Sequence, residues 1–528
     1  MALATVGEAA IKQNLEQFLL VLCVSLSVAT LSRVFSWFRQ IPYTLLLVIV
    51  GLVLALVDVR LVDLSPALIL EIFLPPLLFE AAWNLKWRDL IREVVPVSLY
   101  AIAGVVISIV GIGLALNQLA GIALAIALLV GASLSATDPV SVIALFRELG
   151  SGKRLTTLME GESLLNDGVA VVAFSLLVGI PLGLEQFSIP TTIARFLVFV
   201  GIGIGVGSLI GFGISYLTQR FDLPLVEQSL TLVSAYGTYV ITEELGGSGV
   251  IGVVTVGGIL GNFGSRIGMN PRTRLLVTEF WEFLAFFVNS IVFLLIGDQI
   301  NYASLGKNLG LIAITIGAVI ATRAIAIYGL GGLSNWLAKS EIGLPEQTVL
   351  WWGGLRGSVS IALALSVPAA LPQRDVIIDI VFGVVLFTLL IQGLTTQLLF
   401  EKLGLTGDRP LRQKYLEAVA RRIALNRVIN YLSQADQYQE IEPELCRYKT
   451  ELVQGQLASL QEEITQLQNQ NPQLRALELE QLQEKLLNIE ADTYAELLRA
   501  GRLDNKLSPL LEEVLAAGEE NFATSRGF

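Results

Sequence analysis

The chain has 528 residues, of which 54% are hydrophobic and only 15% are charged. Soluble domains carry about 25% charged residues, so the composition excludes a soluble protein and indicates one embedded in a lipid bilayer. The formal net charge of −11 is spread along the chain without a basic tract, which argues against nucleic acid as a partner. The two cysteines, Cys23 and Cys446, do not indicate a disulfide framework.

Thirteen apolar segments are expected to span the bilayer as helices. Their approximate centres are Val24, Val48, Leu74, Val105, Leu128, Val169, Gly203, Ala235, Val256, Ile291, Ile316, Val359 and Val385. Most basic loop residues follow odd-numbered segments: Arg33, Arg39, Lys86, Arg88, Arg92, Arg147, Lys153, Arg154, Arg220, Arg266, Arg272, Arg274 and Lys339. The positive-inside rule places these loops in the cytoplasm, so the N-terminus faces outside and the C-terminus inside. That arrangement requires an odd number of spans, although short, glycine-interrupted segments leave twelve as an alternative.

A polar stretch, residues 161–168, lies inside the sixth apolar segment. Ser163, Asn166 and Asp167 are spaced i, i+3 and i+4, so they share one face of a helix. Their oxygens are hard ligands that suit a small hard cation. A charge near a bilayer centre costs at least about 2.5–3.5 kcal/mol, so such residues usually mark an ion or proton path. The alternatives are a helix end that dips into water and a polar seam that only joins helices.

The fifth segment is interrupted at Thr137-Asp138-Pro139. Pro139 has no N–H group and clashes with the carbonyl of Ser135, so the helix should break there. Carbonyl groups freed at this depth are tolerated only beside protein or a wet cavity, where they can coordinate a cation. Asp138 can instead be a helix N-cap, and both roles can hold at once.

Two other segments place charged residues within apolar surroundings. In the twelfth, Gly353–Ser358 puts Arg356 among glycines, and broken helices of this kind form the midplane pockets of many secondary transporters. Arg356 should be neutralised by a buried acid, for which Glu162 is the nearest candidate in kind; the alternative is that Arg356 extends to the membrane interface. In the third, Glu80 is either a vestibule ligand for a cation or the polar end of its helix.

The composition changes after about residue 401 to glutamine, glutamate, leucine and lysine. Residues 411–427 are basic and partly amphipathic, which suits the cytoplasmic surface of an anionic bilayer. An apolar stripe runs through Val453, Leu457, Leu460, Ile464 and Leu467, and a second follows Pro472 at Leu479, Leu482, Leu486 and Ile489. Pro472 should break the helix, so residues 401–528 are predicted to form a cytosolic helical tail with a hairpin at that proline.

The four motifs Gly161–Gly168, Ala136–Pro139, Phe73–Glu80 and Gly353–Ser358 together resemble those of the monovalent cation:proton antiporters of the NhaP/NHE type. They occur in the family order and cover about residues 15 to 400, but not the tail. The Glu-Ser-x-x-Asn-Asp pattern at residues 162–167 is highly specific, whereas Thr-Asp-Pro alone would be weak.

The resemblance implies an all-α integral membrane protein that forms a homodimer with thirteen helices in each protomer. Residues 1–400 would form the antiporter domain. Its core would contain segments 4–6 and 11–13, two inverted repeats whose broken helices, segments 5 and 12, cross. The remaining helices would form the dimer domain, and the core would cross the membrane by an elevator-like movement.

The same resemblance assigns roles to the polar residues. It implies that Asp167, Asp138, Ser163 and Thr137 line a Na⁺ site, and that Asn166 holds this site in shape. It also implies a structural ion pair between Glu162 and Arg356.

The expected activity is the exchange of Na⁺ or Li⁺ for H⁺ across a prokaryotic plasma membrane, without enzymatic chemistry or a cofactor. Burial disfavours a charged carboxylate, so protonation of Asp167 competes with cation binding. Related antiporters that move net charge carry two adjacent aspartates; Asn166 cannot titrate, so one proton per cation is expected. The alternatives are a K⁺/H⁺ antiporter, a gated monovalent cation channel and an intramembrane aspartyl protease. A channel should carry a repeated filter loop, and none is found in the sequence. A protease of that class needs Tyr-Asp and Gly-x-Gly-Asp motifs, which are absent.

Overall fold

The computed structural model describes residues 2–35, 42–57, 61, 65–149, 152–184, 188–219, 223–265, 269, 271–300, 302–405, 409–437 and 443–471, and residues 474, 482, 486, 489, 490, 493 and 497. Within these ranges the chain forms helices and connecting turns, and it contains no β-strand. The chain divides into two compact units, Met1–Leu405 and Thr406–Phe528.

The first unit is built from helices of very different length. It begins with α1 (Ala2–Val34), α2 (Tyr43–Leu56), α3 (Leu74–Asn84), α4 (Trp87–Arg92), α5 (Val94–Ser98), α6 (Gly104–Ala120), α7 (Leu124–Ser133), α8 (Val140–Leu149), α9 (Lys153–Leu177) and α10 (Ile189–Thr218). It continues with α11 (Pro224–Glu244), α12 (Gly249–Ile259), α13 (Pro271–Asp298), α14 (Tyr302–Lys307), α15 (Leu309–Ala338), α16 (Leu344–Trp352), α17 (Ser358–Leu365), α18 (Arg374–Phe387) and α19 (Gly393–Lys402). Short π-helical stretches lead into α3, join α5 to α6, extend α12 and join α18 to α19.

Several of these helices are long and apolar enough to cross a membrane. In the part of the chain that is described, they are Val94–Ala120, Ile189–Thr218, Arg272–Asp298, Leu309–Ala338 and Arg374–Lys402. Shorter apolar helices occupy Glu16–Ser32, Tyr43–Leu56, Leu124–Ser133 and Gly249–Gly264. Each of the predicted segment centres lies in a helix. The predicted helical membrane protein is therefore confirmed, and the number of crossings stays a prediction.

Two helical rods are broken in their middle, and the breaks lie against each other. Helix α7 ends at Ser133 and α8 begins at Val140, while α16 ends at Trp352 and α17 begins at Ser358. The backbone N–H of Asp138 in the first break donates to the carbonyl of Leu355 in the second, at 2.8 Å. The crossing of two unwound segments brings backbone polar groups and ionisable side chains together within the helical unit.

Helix α13 packs chiefly against α1, α2, α3 and α11. The contact with α2 is close because Gly51 faces Gly297 across the helix pair, and a Cβ atom on either residue would overlap the opposite backbone. Small residues at such contacts let helices approach closely in a membrane protein. Farther along α13, the Trp281 ring stacks on Phe79 of α3 with centroids 4.1 Å apart. The position of α13 beside α3 is therefore set by tight packing.

The second unit contains α20 (Arg409–Gln437) and α21 (Pro443–Gln470), which pack side by side. A small buried cluster lies at this contact, and it consists of Tyr415, Ala418, Ile464, Leu467 and Leu474. Lys414 pairs with Glu463 at 3.2 Å, and Gln468 donates to the hydroxyl of Tyr415 at 3.0 Å. Ile464 and Leu467 of the predicted stripe are thus buried against α20, with Leu474 from beyond Pro472 in the same cluster, and the hairpin at Pro472 stays a prediction. Pro472 and Leu479 lie outside the described residues, whereas Leu482, Leu486 and Ile489 of the second stripe are helical, and Leu482 and Ile489 are exposed.

Candidate functional site

Helix α9 carries the polar stretch that was predicted to form the centre of the site. The hydroxyl of Ser163 donates to the backbone carbonyl of Thr137 in the first break. The Asn166 amide contacts the same residue twice: its Nδ2 donates to Thr137 Oγ1 at 2.6 Å, and its Oδ1 accepts from the Thr137 N–H at 3.3 Å. Asn166 therefore joins the unwound segment to α9, and its role in holding a cation site in shape stays a prediction.

Asp167 and Asp138 both line a cavity of about 730 Å³ in the helical unit. The Oδ1 atom of Asp167 is buried and accepts no hydrogen bond from any described residue. Because a buried carboxylate oxygen normally has a partner, this atom has capacity for a proton or a cation. Ser163 and Thr137 line the same cavity. The structure thus brings the predicted ligands together.

Asp138 forms the helix cap that the sequence left open, and its role as a cation ligand stays a prediction. Its Oδ1 accepts from the N–H of Val140 at 3.0 Å, so the side chain caps the N-terminus of α8. Its Oδ2 packs against Gly357 in the second break, where any Cβ atom would overlap the carboxylate. Glycine at position 357 is therefore required for the two broken segments to approach at this carboxylate.

The partner predicted for Glu162 is wrong. The carboxylate of Glu162 forms a bidentate ion pair with Arg323 of α15, with Nη1–Oε1 at 2.9 Å and Nη2–Oε2 at 3.2 Å. Arg323 also donates to the carbonyls of Leu350 and Trp351 at the C-terminal end of α16. Its position next to the α16 backbone is possible because residue 354 is a glycine. Arg323 therefore neutralises the charge of Glu162 and also supplies hydrogen bonds to the free carbonyl groups at the end of α16.

Arg356 lies elsewhere in the same polar centre. Its side chain is fully buried, so it does not extend to the interface as the alternative proposed. Its Nη1 donates weakly to the carbonyl of Ala136 at 3.4 Å, and its backbone N–H donates to Thr388 Oγ1 at 3.0 Å. Its Nε and Nη2 atoms have no hydrogen-bond partner among the described residues. The Arg356 guanidinium lies next to the freed carbonyl groups of the first break, and it is not paired with Glu162.

Carboxylates dominate the ionisable lining of the large cavity. They are Glu80, Asp138, Glu160, Asp167, Glu279 and Glu282, and the described lining contains no lysine or arginine. Glu80 is half-buried and accepts from Asn84 Nδ2 at 2.7 Å. A wall with one sign of charge concentrates ions of the opposite sign. The cavity is therefore suited to gathering cations.

The sequence left the roles of Arg323, Glu279 and Glu282 ambiguous, and it gave no signal for Asn289. Arg323 is the only charged residue in Leu309–Ala338, and an isolated charge inside an apolar span was the signal that could have found it. Glu279 and Glu282 lie in the N-terminal half of α13, and no spacing marked Asn289 as a cavity residue.

A helical membrane protein with crossed broken helices, an acidic cavity and a buried carboxylate at the crossing has the construction of a secondary cation transporter. The sequence profile described as "Sodium/hydrogen exchanger, transmembrane" matches residues 22–402. This chain therefore belongs to the sodium/hydrogen exchanger family, as the four motifs predicted, and it is a transporter and not an enzyme.

Individual relatives agree with the family assignment. The chain is 69% identical over 517 residues to the Na(+)/H(+) antiporter ApNhaP of Aphanothece halophytica, covering 98% of this chain and 99% of the relative. It is 61% identical over 505 residues to the low-affinity Na(+)/H(+) antiporter NhaS1 of Synechocystis sp., covering 95% and 96%. The sodium proton antiporter MjNhaP1 from Methanocaldococcus jannaschii, solved at pH 8, has a TM-score of 0.60 at 19% identity, covering 75% of this chain and 97% of that one. At that identity, the structural likeness shows the fold alone.

Proposed function

We propose that this protein exchanges Na⁺ for H⁺ across a membrane, and that Asp167 carries either ion in turn. The observation that carries the proposal is the buried Oδ1 atom of Asp167, which accepts no hydrogen bond from a described residue while the side chain lines the acidic cavity. The names of the relatives with 69% and 61% identity support Na⁺ and H⁺ as the exchanged ions.

The chemistry follows from competition at one carboxylate. A Na⁺ ion in the site contacts Asp167 and takes further oxygens from Ser163, Thr137 and Asp138, which are hard ligands for a hard ion. A proton on Asp167 removes the negative charge that holds Na⁺, so the cation leaves. If the site crosses the membrane only when Asp167 is protonated or bound to Na⁺, movement of one ion requires counter-movement of the other.

The proposed stoichiometry is one proton for one Na⁺. Position 166, beside Asp167, holds an asparagine that cannot titrate, and its amide is occupied by Thr137. Asp138 has one carboxylate oxygen engaged as the cap of α8, so it acts as a fixed ligand. Each half of the transport cycle then moves one positive charge, so the complete cycle moves no net charge across the membrane.

The arrangement in the membrane is also part of the proposal. The cavity is lined by Asn84, Glu160 and Glu279, which lie near the ends of α3, α9 and α13 that adjoin Lys86, Lys153 and Arg272. The positive-inside rule makes that face cytoplasmic, with the N-terminus outside and the tail in the cytoplasm. The family resemblance supports a homodimer in a prokaryotic plasma membrane, in which segments 4–6 and 11–13 move together against the other helices.

The test uses purified protein in sealed proteoliposomes that contain a pH-sensitive dye. An outward Na⁺ gradient should acidify the interior, and an inward gradient should make it alkaline. The same scan with Li⁺ and K⁺ defines which cation is preferred. A channel would carry Na⁺ without proton counter-movement, and a pH signal that ignores the direction of the Na⁺ gradient would refute exchange.

A further inference from the structure

Asn289 is a polar residue that the site described above does not use. It lies in α13 within the run Leu284–Ile296, where the only other polar side chain, Ser290, donates to the carbonyl of Phe286. Asn289 is only 6% exposed, and its amide makes no hydrogen bond with any residue that the structure describes. It lines the large cavity together with Asp167 and Asp138. Asn289 therefore presents an amide without a protein partner to the cavity that contains Asp167 and Asp138.

The placement of Asn289 along α13 is regular. Glu279, Glu282, Phe286 and Asn289 all line the cavity, and they are spaced i, i+3, i+7 and i+10, so they form one face of the helix. Glu279 and Glu282 are exposed, whereas Asn289 is buried about 10 Å farther along the helix axis from Glu282. The face therefore presents carboxylates at its exposed end and an uncharged carbonyl oxygen at its buried end.

We infer that Asn289 is a cation ligand on the cavity wall opposite the broken helices, and that its amide oxygen contacts Na⁺, directly or through one water molecule, as the ion reaches Asp167. An amide oxygen suits this role because it compensates for lost hydration without adding a charge that would hold the ion. The two exposed glutamates attract the ion over a distance, and Asn289 acts on the ion after part of its hydration shell is lost. This inference rests on the proposed Na⁺/H⁺ exchange.

The contact between Asn289 and Na⁺ should form only while the ion site is open to one side of the membrane. Helix α13 packs chiefly against α1, α2, α3 and α11 and has only a small contact with α17, whereas Asp167, Asp138 and Thr137 belong to α9 and the first break. In the proposed cycle the latter group moves relative to α13. Asn289 therefore meets the ion while this cavity is open and loses it when the site faces the other side.

The experiment measures exchange in proteoliposomes whose protein orientation is made uniform by selective inactivation of one population. Asn289→Leu keeps the side-chain volume and removes the oxygen, and Asn289→Gln keeps an amide. Ser290→Ala is the matched control, because Ser290 is the adjacent buried residue of α13 and does not line the cavity. The apparent KM and the maximal rate for Na⁺ are measured separately from each face, with the thermal unfolding midpoint of every variant.

Asn289→Leu should raise the KM for Na⁺ on the cavity face by about three- to tenfold, as expected when one contact with the strength of a typical hydrogen bond is lost. The maximal rate, the KM on the opposite face and the unfolding midpoint should stay near those of Ser290→Ala, and Asn289→Gln should recover part of the KM. An unchanged KM on the cavity face, an equal change on both faces, or a parallel fall in rate and unfolding midpoint would each overturn the inference. Absence of exchange by the wild-type protein would instead refute the proposed function itself.

Discussion

Replacing Arg323 by methionine tests the ion pair that links α9 to the second broken helix. The change keeps a flexible, unbranched side chain and removes the guanidinium with its charge, which leaves Glu162 buried without its partner. In the folded protein both side chains are at most 9% exposed, and the pair is bidentate at 2.9 and 3.2 Å. The Arg323 guanidinium also donates to the carbonyls of Leu350 and Trp351, so those contacts are lost as well.

The expected loss of stability follows from this geometry. Removing one partner of a buried ion pair costs about 3–5 kcal/mol, because the other charge remains desolvated. Arg323→Met also loses the hydrogen bonds to two carbonyls, and a single hydrogen bond of a charged group contributes about 1.5–3 kcal/mol. The expected loss of unfolding free energy is therefore at the upper end of the range for a buried ion pair, about 5 kcal/mol. Glu162→Gln in the same background removes the stranded charge, and the coupling energy in the double-mutant cycle should be about 2–3 kcal/mol.

The assay is the free energy of unfolding of purified protein in mixed micelles, measured by titration with dodecyl sulfate and followed by circular dichroism. Arg356→Met with Glu162→Gln provides the control cycle, because those two side chains form no ion pair within 4.0 Å among the described residues. Its coupling should be clearly smaller. A coupling for Arg356 that equals or exceeds that for Arg323 would refute the assignment of the pair.

Four further outcomes are expected. Asp167→Asn should abolish Na⁺-driven proton movement in proteoliposomes while the circular dichroism spectrum stays native, and exchange at the wild-type rate would exclude Asp167 as the carrier. Gly357→Ala should lower the free energy of unfolding by about 1–3 kcal/mol through overpacking, and it should stop transport. Gly317→Ala is the control, because its new methyl group meets no atom within 4 Å, and it should change neither stability nor transport in the same assays. The apparent KM for Na⁺ should rise by up to about tenfold for each pH unit of acidification, because protons compete by mass action, and a KM independent of pH would contradict competition at one carboxylate. With the potential clamped by valinomycin, in a variant or condition that does not transport K⁺, the exchange rate should not depend on voltage; a systematic dependence would show that a second group titrates with Asp167.

Local sequence features determined the class of the protein and most of the site. The spacing of Ser163, Asn166 and Asp167 places them on one helical face whatever surrounds the helix, because the helix repeat depends only on the backbone. The break before α8 follows from Pro139, which cannot donate a backbone hydrogen bond. The expectation that Asp138 caps a helix is met for the same local reason, since the capped N–H belongs to Val140, two residues away.

The contacts between distant segments were decided by the tertiary structure alone. The sequence placed two arginines, Arg323 and Arg356, within apolar spans, and both could neutralise Glu162 equally well in chemical terms. Arg323 is the partner because the packing of α15 brings its guanidinium within hydrogen-bond distance of Glu162, with Gly354 leaving room for it. The same limit applies to Asn289, whose own helix is apolar around it and whose exposure to the cavity depends on packing against other helices. Periodicity identifies which face of a helix is apolar or polar, but the chain segment that covers that face depends on how all the helices pack together.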